Sequence, residues 1–190
     1  VGNSIFSSGF VCSHVLDADM ADHIIRVDPS RAPELVELWK STFKQAYSDV
    51  HSADNIERYC TAKLTIANAL ATLSDKNVVC AFCHRDEKPI GFYILVHHEC
   101  PFPLAGKSSE LKEIYILADA YGSGVGRAML EDACKVVRSV NGKWIWLAVA
   151  DQNIRAQSFY DTAGFTGVGP GPIFEVGTDH LTSTIMTRQI

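Results

Sequence analysis

Apolar residues recur along this chain with two periods, and the places where one period gives way to the other predict its elements. Leu35, Leu38, Trp39 and Phe43 stand at helical spacing behind Pro29-Ser30-Arg31-Ala32-Pro33, which predicts a helix opening there and running through about Tyr47. A second helix is predicted after a cap at Ser52 or Asp54, carrying Ile56, Tyr59, Leu64, Ala67 and Leu70 at compatible offsets. Strands are predicted over 24–27, 77–84 and 89–98, the last two joined by the polar turn Arg85-Asp86-Glu87-Lys88. Then come an apolar strand around ELKEIYI (110–116), a helix, a strand KWIWLAV (143–149), another helix, and terminal strands over 165–168 and 181–186. The order βααββ, β-loop-α, βα, ββ predicts an α/β (α+β) fold, a mixed sheet with helices on both faces. The first twenty or so residues are Ser-rich and lack clean periodicity, so 1–21 reads as an extension and 22–190 as the domain.

Between the strand ending at Ile116 and the following helix lie three glycines spaced by two, Gly122, Gly124 and Gly126. Glycines there allow a tight turn and keep side chains away from the peptide N–H groups. The helix after them is well formed on paper. Val125, Met129, Ala133, Val136 and Val140 make one apolar stripe, with Glu131 and Asp132 early and Lys135 and Arg138 late. Its first N–H groups have no intrahelical partner, so they and the positive end of the dipole present an anion site suited to a diphosphate. A P-loop would need Lys and Ser/Thr where this chain has Arg127 and Ala128, and a dinucleotide fingerprint would need its third glycine where Arg127 stands. The segment Tyr121-Gly122-Ser123-Gly124-Val125-Gly126 instead resembles the pyrophosphate loop of the GNAT acyltransferases, Gln/Arg-x-x-Gly-x-Gly/Ala at a strand-to-helix junction. Tyr121 replaces the usual Gln or Arg, and Arg127 is the nearby candidate for the missing charge.

A glycine-rich turn that binds nothing would carry the same glycines, and a second motif separates the two readings. Asn153-Ile-Arg-Ala156-Gln-Ser-Phe159-Tyr160-Asp-Thr-Ala-Gly164-Phe165 resembles the GNAT pattern N-x-x-A-x-x-F-Y-x-x-x-G-F. Asn153 is a good N-cap, Tyr160 lies two turns further along nearly the same face, Ala156 keeps that face shallow, and Gly164 ends the helix. An ordinary capped helix would hold Phe159 and Tyr160 as core aromatics; that reading is preferred for Phe159 and the functional one for Tyr160.

Composition narrows the picture. A chain of 190 residues, 47% apolar, buries one good core and hardly two. A net charge of −5 disfavours nucleic acid as a partner and suits a cationic substrate. No apolar run approaches a membrane span and no secretory signal pattern is visible, so a cytoplasmic protein is expected. The chain begins on Val1 rather than Met, so a processed terminus or an added remnant is expected at its extreme N-terminus. Its six cysteines read as reduced thiols, Cys80 and Cys134 buried. Cys80 and Cys83 are three apart on a strand and point to opposite faces, so they cannot chelate one ion together, and His97-His98-Glu99-Cys100 reads as a strand end feeding the Pro101 and Pro103 turn. No metal is expected.

The GNAT resemblance implies a mixed six- to seven-stranded acyl-CoA N-acyltransferase fold and acetyl-CoA as co-substrate. It places that molecule along Ile114, Tyr115 and Ile116, over Tyr121, Gly122, Ser123, Gly124, Val125, Gly126 and Arg127, and against Asn153, Ala156 and Tyr160, with Asn153 donating to the pantetheine arm. From about Thr42 onward the chain resembles the bacterial PaiA-type spermidine/spermine N-acetyltransferases, in TFKQAYSDVHSADNIERY, ELKEIYI and FEVGTDHLTSTIM. A small primary amine, a polyamine first, is the implied acceptor, although that group tends to carry an acidic residue where Ser183 aligns. Nα-acetyltransferases of ribosomal proteins carry a glutamate where this chain has Ala148. An alkylamine of pKa about 10 is neutral in roughly one molecule per thousand at pH 7, so a base must help. The resemblance points to Glu110 for this, with Glu113 as alternative, and to Tyr160 as the acid that protonates the departing thiolate. A backbone N–H near Ile116, where the family strand is splayed by a bulge, would hold the oxyanion. Asp49, Asp54, Glu57, Glu175 and Asp179 are candidate contacts for a distal ammonium. A CoA-binding protein without catalysis, and acceptors such as peptide N-termini or aminoglycosides, stand as alternatives. Exposed sheet edges in such folds support a homodimer.

Overall fold

The computed structural model describes residues 22–190. The expectations for 1–21, the extension and Cys12 among them, lie outside the described residues. The chain forms β1 (His23–Arg26), α1 (Ala32–Tyr47), α2 (Ala53–Lys63), α3 (Ile66–Ser74), β2 (Val78–Arg85), β3 (Lys88–Val96), β4 (Ser108–Ile116), α4 (Val125–Ser139), β5 (Trp144–Ala150), α5 (Ile154–Thr162), β6 (Thr166–Pro170), β7 (Phe174–Val176), β8 (Asp179–Leu181) and β9 (Ser183–Gln189).

Seven strands form one mixed sheet in the order β1-β2-β3-β4-β5-β9-β6, and β7 and β8 form a separate hairpin. Only β4 and β5 run parallel in the large sheet, as expected where a helix makes the crossover. Two apolar layers cover it. One face buries Tyr93, Leu95, Leu111, Ile145 and Leu147 against Met129, Leu130, Ala133 and Val137 of α4. The other buries Phe82, Phe92 and Ile94 against Leu35, Trp39 and Phe43 of α1 and Ile56 and Cys60 of α2. Cys83 belongs to the first layer and Cys80 to the second, as strand alternation requires. Burial raises the pKa of both thiols.

Three elements differ from the sequence reading. The single helix expected after Ser52 is two: Ser52 does cap α2, but the chain breaks at Leu64 and restarts when the Thr65 hydroxyl accepts the N–H of Asn68. Asn68 Nδ2 donates to Lys63 O at 2.8 Å, closing the end of α2 with the start of α3. Leu64 is buried at the corner, whereas Leu70 is exposed. The stripe of α4 is completed by Leu130, Cys134 and Val137, and Val140 is exposed because the helix ends at Ser139. The hairpin β7–β8 falls where the hydrophobic pattern predicts no paired strands, because each of its strands is only three residues long.

Candidate active site

The site begins where two strands part. Parallel pairing of β4 with β5 stops after Ser108–Trp144, Ser109–Ile145 and Glu110–Trp146, so the rest of β4 and residues 147–150 of β5 diverge. Leu117 N–H donates to Ile90 O on the β3 side. Strand alternation therefore turns the N–H groups of Ile114 and Ile116 toward the gap that β5 leaves. This is the splay expected near Ile116, but the bulge itself lies earlier. Ile94 pairs with Glu113 and Leu95 with Leu111, leaving Lys112 as the extra residue.

The bulge has a chemical consequence. Residues three apart on a regular strand face opposite ways, but the extra residue restores Glu110 and Glu113 to the same face, and both line a cleft of about 510 Å³ opened by the splay. Trp39, Phe43 and Tyr47 of α1, Tyr59 of α2, Phe174 of the hairpin and Tyr160 of α5 wall it. Glu113 is the deeper carboxylate: its Oε2 is sealed without a hydrogen-bond partner. Burial pushes its pKa up to about 8, opposed by Lys112 and reinforced by Glu110. Glu110 has its side chain 18% exposed and its Oε2 2.8 Å from His98 Nε2. Burial also raises the phenol pKa values of Tyr47, Tyr115 and Tyr160, and that of Tyr59 to about 12, so all four hydroxyls remain protonated donors at neutral pH.

Asn153, Ala156 and Tyr160 line the same cleft from α5. Asn153 Oδ1 accepts the N–H of Ala156 at 3.0 Å, which is the predicted cap, and the residue lines the cleft beside Tyr47. Tyr160 is held edge-on between Phe159 and Phe165, so the aromatic neighbours fix the ring, and the residue lines the cleft. Phe159 packs against the core, as preferred. Ala148, where a peptide-specific branch carries glutamate, lines the cleft as well.

The glycine loop lies at the end of β4 and opens α4. Gly124 is the N-cap with φ +90°, a left-handed conformation that favours glycine. Gly126 serves packing instead, since a Cβ there would meet Ile116 Cδ1 at 3.0 Å. The first helical bond runs from Ala128 N–H to Gly124 O, and no side chain caps the helix. The N–H groups of Val125, Gly126 and Arg127 thus precede the intrahelical ladder, the donor set a diphosphate needs. Ser123 faces the same turn and accepts from Arg85 Nη2 at 3.2 Å. The charge beside Tyr121 comes from Arg155, whose guanidinium lies 3.5 Å from the Tyr121 ring centroid. Sequence reasoning missed Arg155 because the pair is distant along the chain; exposed Arg127 remains on the helix.

Of the five acidic residues considered for a distal ammonium, only Glu175 lines the cleft. Asp54 pairs with Arg58, Glu57 with Lys44, and Asp179 with His51; Asp49 is exposed and does not line the cleft. The Asp179 pair has a structural use. His51 Nδ1 lies 2.7 Å from Asp179 Oδ2, Asn55 Nδ2 donates to Thr178 Oγ1, and Gly177 approaches Asn55 so closely that a Cβ would clash. These contacts pin the hairpin to the α1–α2 corner, and the hairpin in turn walls the cleft. Tyr47 and Tyr59 were legible only as helix positions.

No group of three His, Cys, Asp or Glu residues suited to a metal ion occurs among the described residues, and no described helix is long and apolar enough to cross a membrane. The structure resembles the PaiA N-acetyltransferase of Thermoplasma acidophilum crystallised with coenzyme A (TM-score 0.75, 20% identity, 90% of this chain and 100% of that one). It also resembles an acetyltransferase of Thermus thermophilus (TM-score 0.65, 18% identity, 89% and 97%). In sequence, the chain is 24% identical over 159 residues to an uncharacterized N-acetyltransferase of Mycobacterium bovis, covering 84% of this chain and 97% of that protein. The model of the acetyltransferase (GNAT) family matches residues 32–165, which span both the glycine loop and the Asn153–Phe165 motif. With the splayed strands and the uncapped helix after them, that match makes the chain a member of the GNAT acetyltransferase family.

Proposed function

We propose that this protein transfers acetyl from acetyl-CoA to a small primary amine, a polyamine first among candidates, by direct attack in a ternary complex. The observation that carries the reading is the meeting, in one cleft, of a raised carboxyl at Glu113, the Tyr160 phenol and the outward N–H groups of the parted β4 strand. Acetyl-CoA would supply the activated thioester and the anion that the α4 N-terminus and Arg155 are built to hold.

Glu113 is the better proton acceptor of the two carboxylates. An approaching ammonium lowers its pKa and ionises it, and the same enclosure then favours the neutral amine and acid over the ion pair. The N–H of Ile116 or Ile114, turned into the gap between β4 and β5, would hold the oxyanion. Tyr160, protonated at working pH, would donate to the departing sulfur, and a CoA thiol with a pKa near that of cysteine needs only modest help. Carboxylates at Glu110, Glu113 and Glu175 among tyrosine and phenylalanine faces suit an alkylammonium. Ala148 at the wall supports a small amine over a peptide N-terminus. The unpaired cysteines of the described residues accord with a reducing, cytoplasmic setting.

The test is thiol release from acetyl-CoA with spermidine, spermine, a lysine peptide and an aminoglycoside. Turnover of the polyamines that Tyr160→Phe suppresses is the expected result. Binding of CoA with no turnover on any amine would favour the binding-protein reading.

A further inference from the structure

Transfer from an ammonium to an amide releases one proton per turnover: R–NH3⁺ and the acetyl thioester become amide, thiol and H⁺. Glu113 offers no exit of its own: its Oε2 is sealed without a hydrogen-bond partner, so a proton it takes has to leave from its other oxygen through the cleft it shares with Glu110. Glu110 is differently placed. It lines the cleft, yet its Oε2 is bound to His98, whose side chain is 47% exposed and lines a second opening of about 230 Å³.

We propose that Glu110 and His98 form the exit for the reaction's proton, leading from the acceptor cleft to this second opening. The inference rests on the acetyltransfer reading above. In this route the amine's proton goes to Glu113, is passed to Glu110, and arrives at His98 Nε2. The imidazolium then loses its Nδ1 proton to solvent, and exchange at the half-exposed ring restores the starting tautomer.

The surroundings suit a relay. The His98 ring packs against Trp146 of β5 with centroids 5.1 Å apart, and its carbonyl accepts from Trp146 Nε1 at 3.4 Å and Ser108 Oγ at 3.3 Å. The backbone is thereby held while the ring stays half open. The titratable and charged groups facing it are Glu110 on β4 and, around the opening, His97, Glu99 and Lys107. His97 is engaged by Ser109 Oγ at 2.9 Å and burial lowers its pKa, which leaves His98 as the imidazole in line with the cleft.

The experiment compares the unmutated protein with His98→Ala and His98→Gln, using acetyl-CoA and the best acceptor among spermidine, spermine, a lysine peptide and an aminoglycoside. In a dilute, non-imidazole buffer near pH 7, kcat is expected to fall ~10-fold in both variants with KM for the amine unchanged. Imidazole at tens of millimolar should restore kcat saturably, because a free imidazole can replace a lost carrier but not a lost scaffold. Gln keeps a donor toward Glu110, so full kcat in His98→Gln would mean mere positioning and would overturn the proposal. An unchanged kcat in His98→Ala, or a loss that imidazole does not restore, would overturn it too. If His98→Ala does not fold, His98→Gln alone decides. Absence of turnover by the unmutated protein would defeat the transfer reading and this proposal with it; turnover that His98 variants leave intact defeats this proposal alone.

Discussion

Replacing Glu113 by Gln should make the protein more stable and nearly inactive, and the stability gain should grow with pH. The folded site keeps the carboxyl proton up to about pH 8, whereas the carboxyl's ordinary value is 4.5. Between those values the unfolded chain has shed a proton that the folded chain retains, so stability falls as pH rises from about 4.5 to about 8 and levels off above. At about 1.4 kcal/mol per decade the cost reaches ~3 kcal/mol at pH 7 and ~5 kcal/mol above pH 8. Gln is neutral throughout and escapes it. Urea unfolding of both proteins at pH 5.5 and pH 8 should therefore show the difference widening by ~3 kcal/mol in favour of Glu113→Gln. Acetyl transfer by the same variant should drop ~100-fold or more, as for a lost general base. Parallel stability profiles across that range would refute the idea that burial holds this carboxyl up. Undiminished turnover would refute its role as proton acceptor.

Tyr160→Phe should slow turnover ~10- to 1000-fold while leaving the KM for acetyl-CoA nearly unchanged, measured by thiol release. Arg155→Ala should do the opposite, raising the KM for acetyl-CoA about 3- to 10-fold with little change in kcat, in line with a loss of ~1 kcal/mol. Asn55→Ala frees the hairpin from α2 and should raise the KM for the amine more than that for acetyl-CoA, together with a loss of ~1 kcal/mol in unfolding free energy. Gly124→Val, which forces a β-branched residue to φ +90°, should cost ~1–3 kcal/mol and weaken CoA binding measured by calorimetry.

Much of this arrangement is local and so was legible. The Asn153 cap, the Gly164 helix stop and the glycine run that uncaps α4 are each decided by a few neighbouring residues, and the sequence places them within a residue or two. The parts that escaped depend on partners far along the chain. The corner at Leu64-Thr65 contains neither glycine nor proline; it exists because Leu64 is buried and Thr65 and Asn68 satisfy both helix ends. The face of Glu110 could not be read from alternation, because the bulge at Lys112 inverts it, and a bulge is a property of two strands. Arg155 meets Tyr121, and Asp179 meets His51, only after the sheet has assembled.

The hairpin of β7 and β8 lies beyond residue 165, where the family match ends, yet it supplies one wall of the cleft. It belongs to no other sheet and is tied to the α1–α2 corner by a handful of polar contacts. This part of the cleft wall and the segments that carry the glycine loop and the Asn153–Phe165 motif are therefore separate pieces of chain. Under the acetyltransfer reading, exchanging the eight residues Phe174–Leu181 between relatives should shift acceptor preference more than acetyl-CoA use.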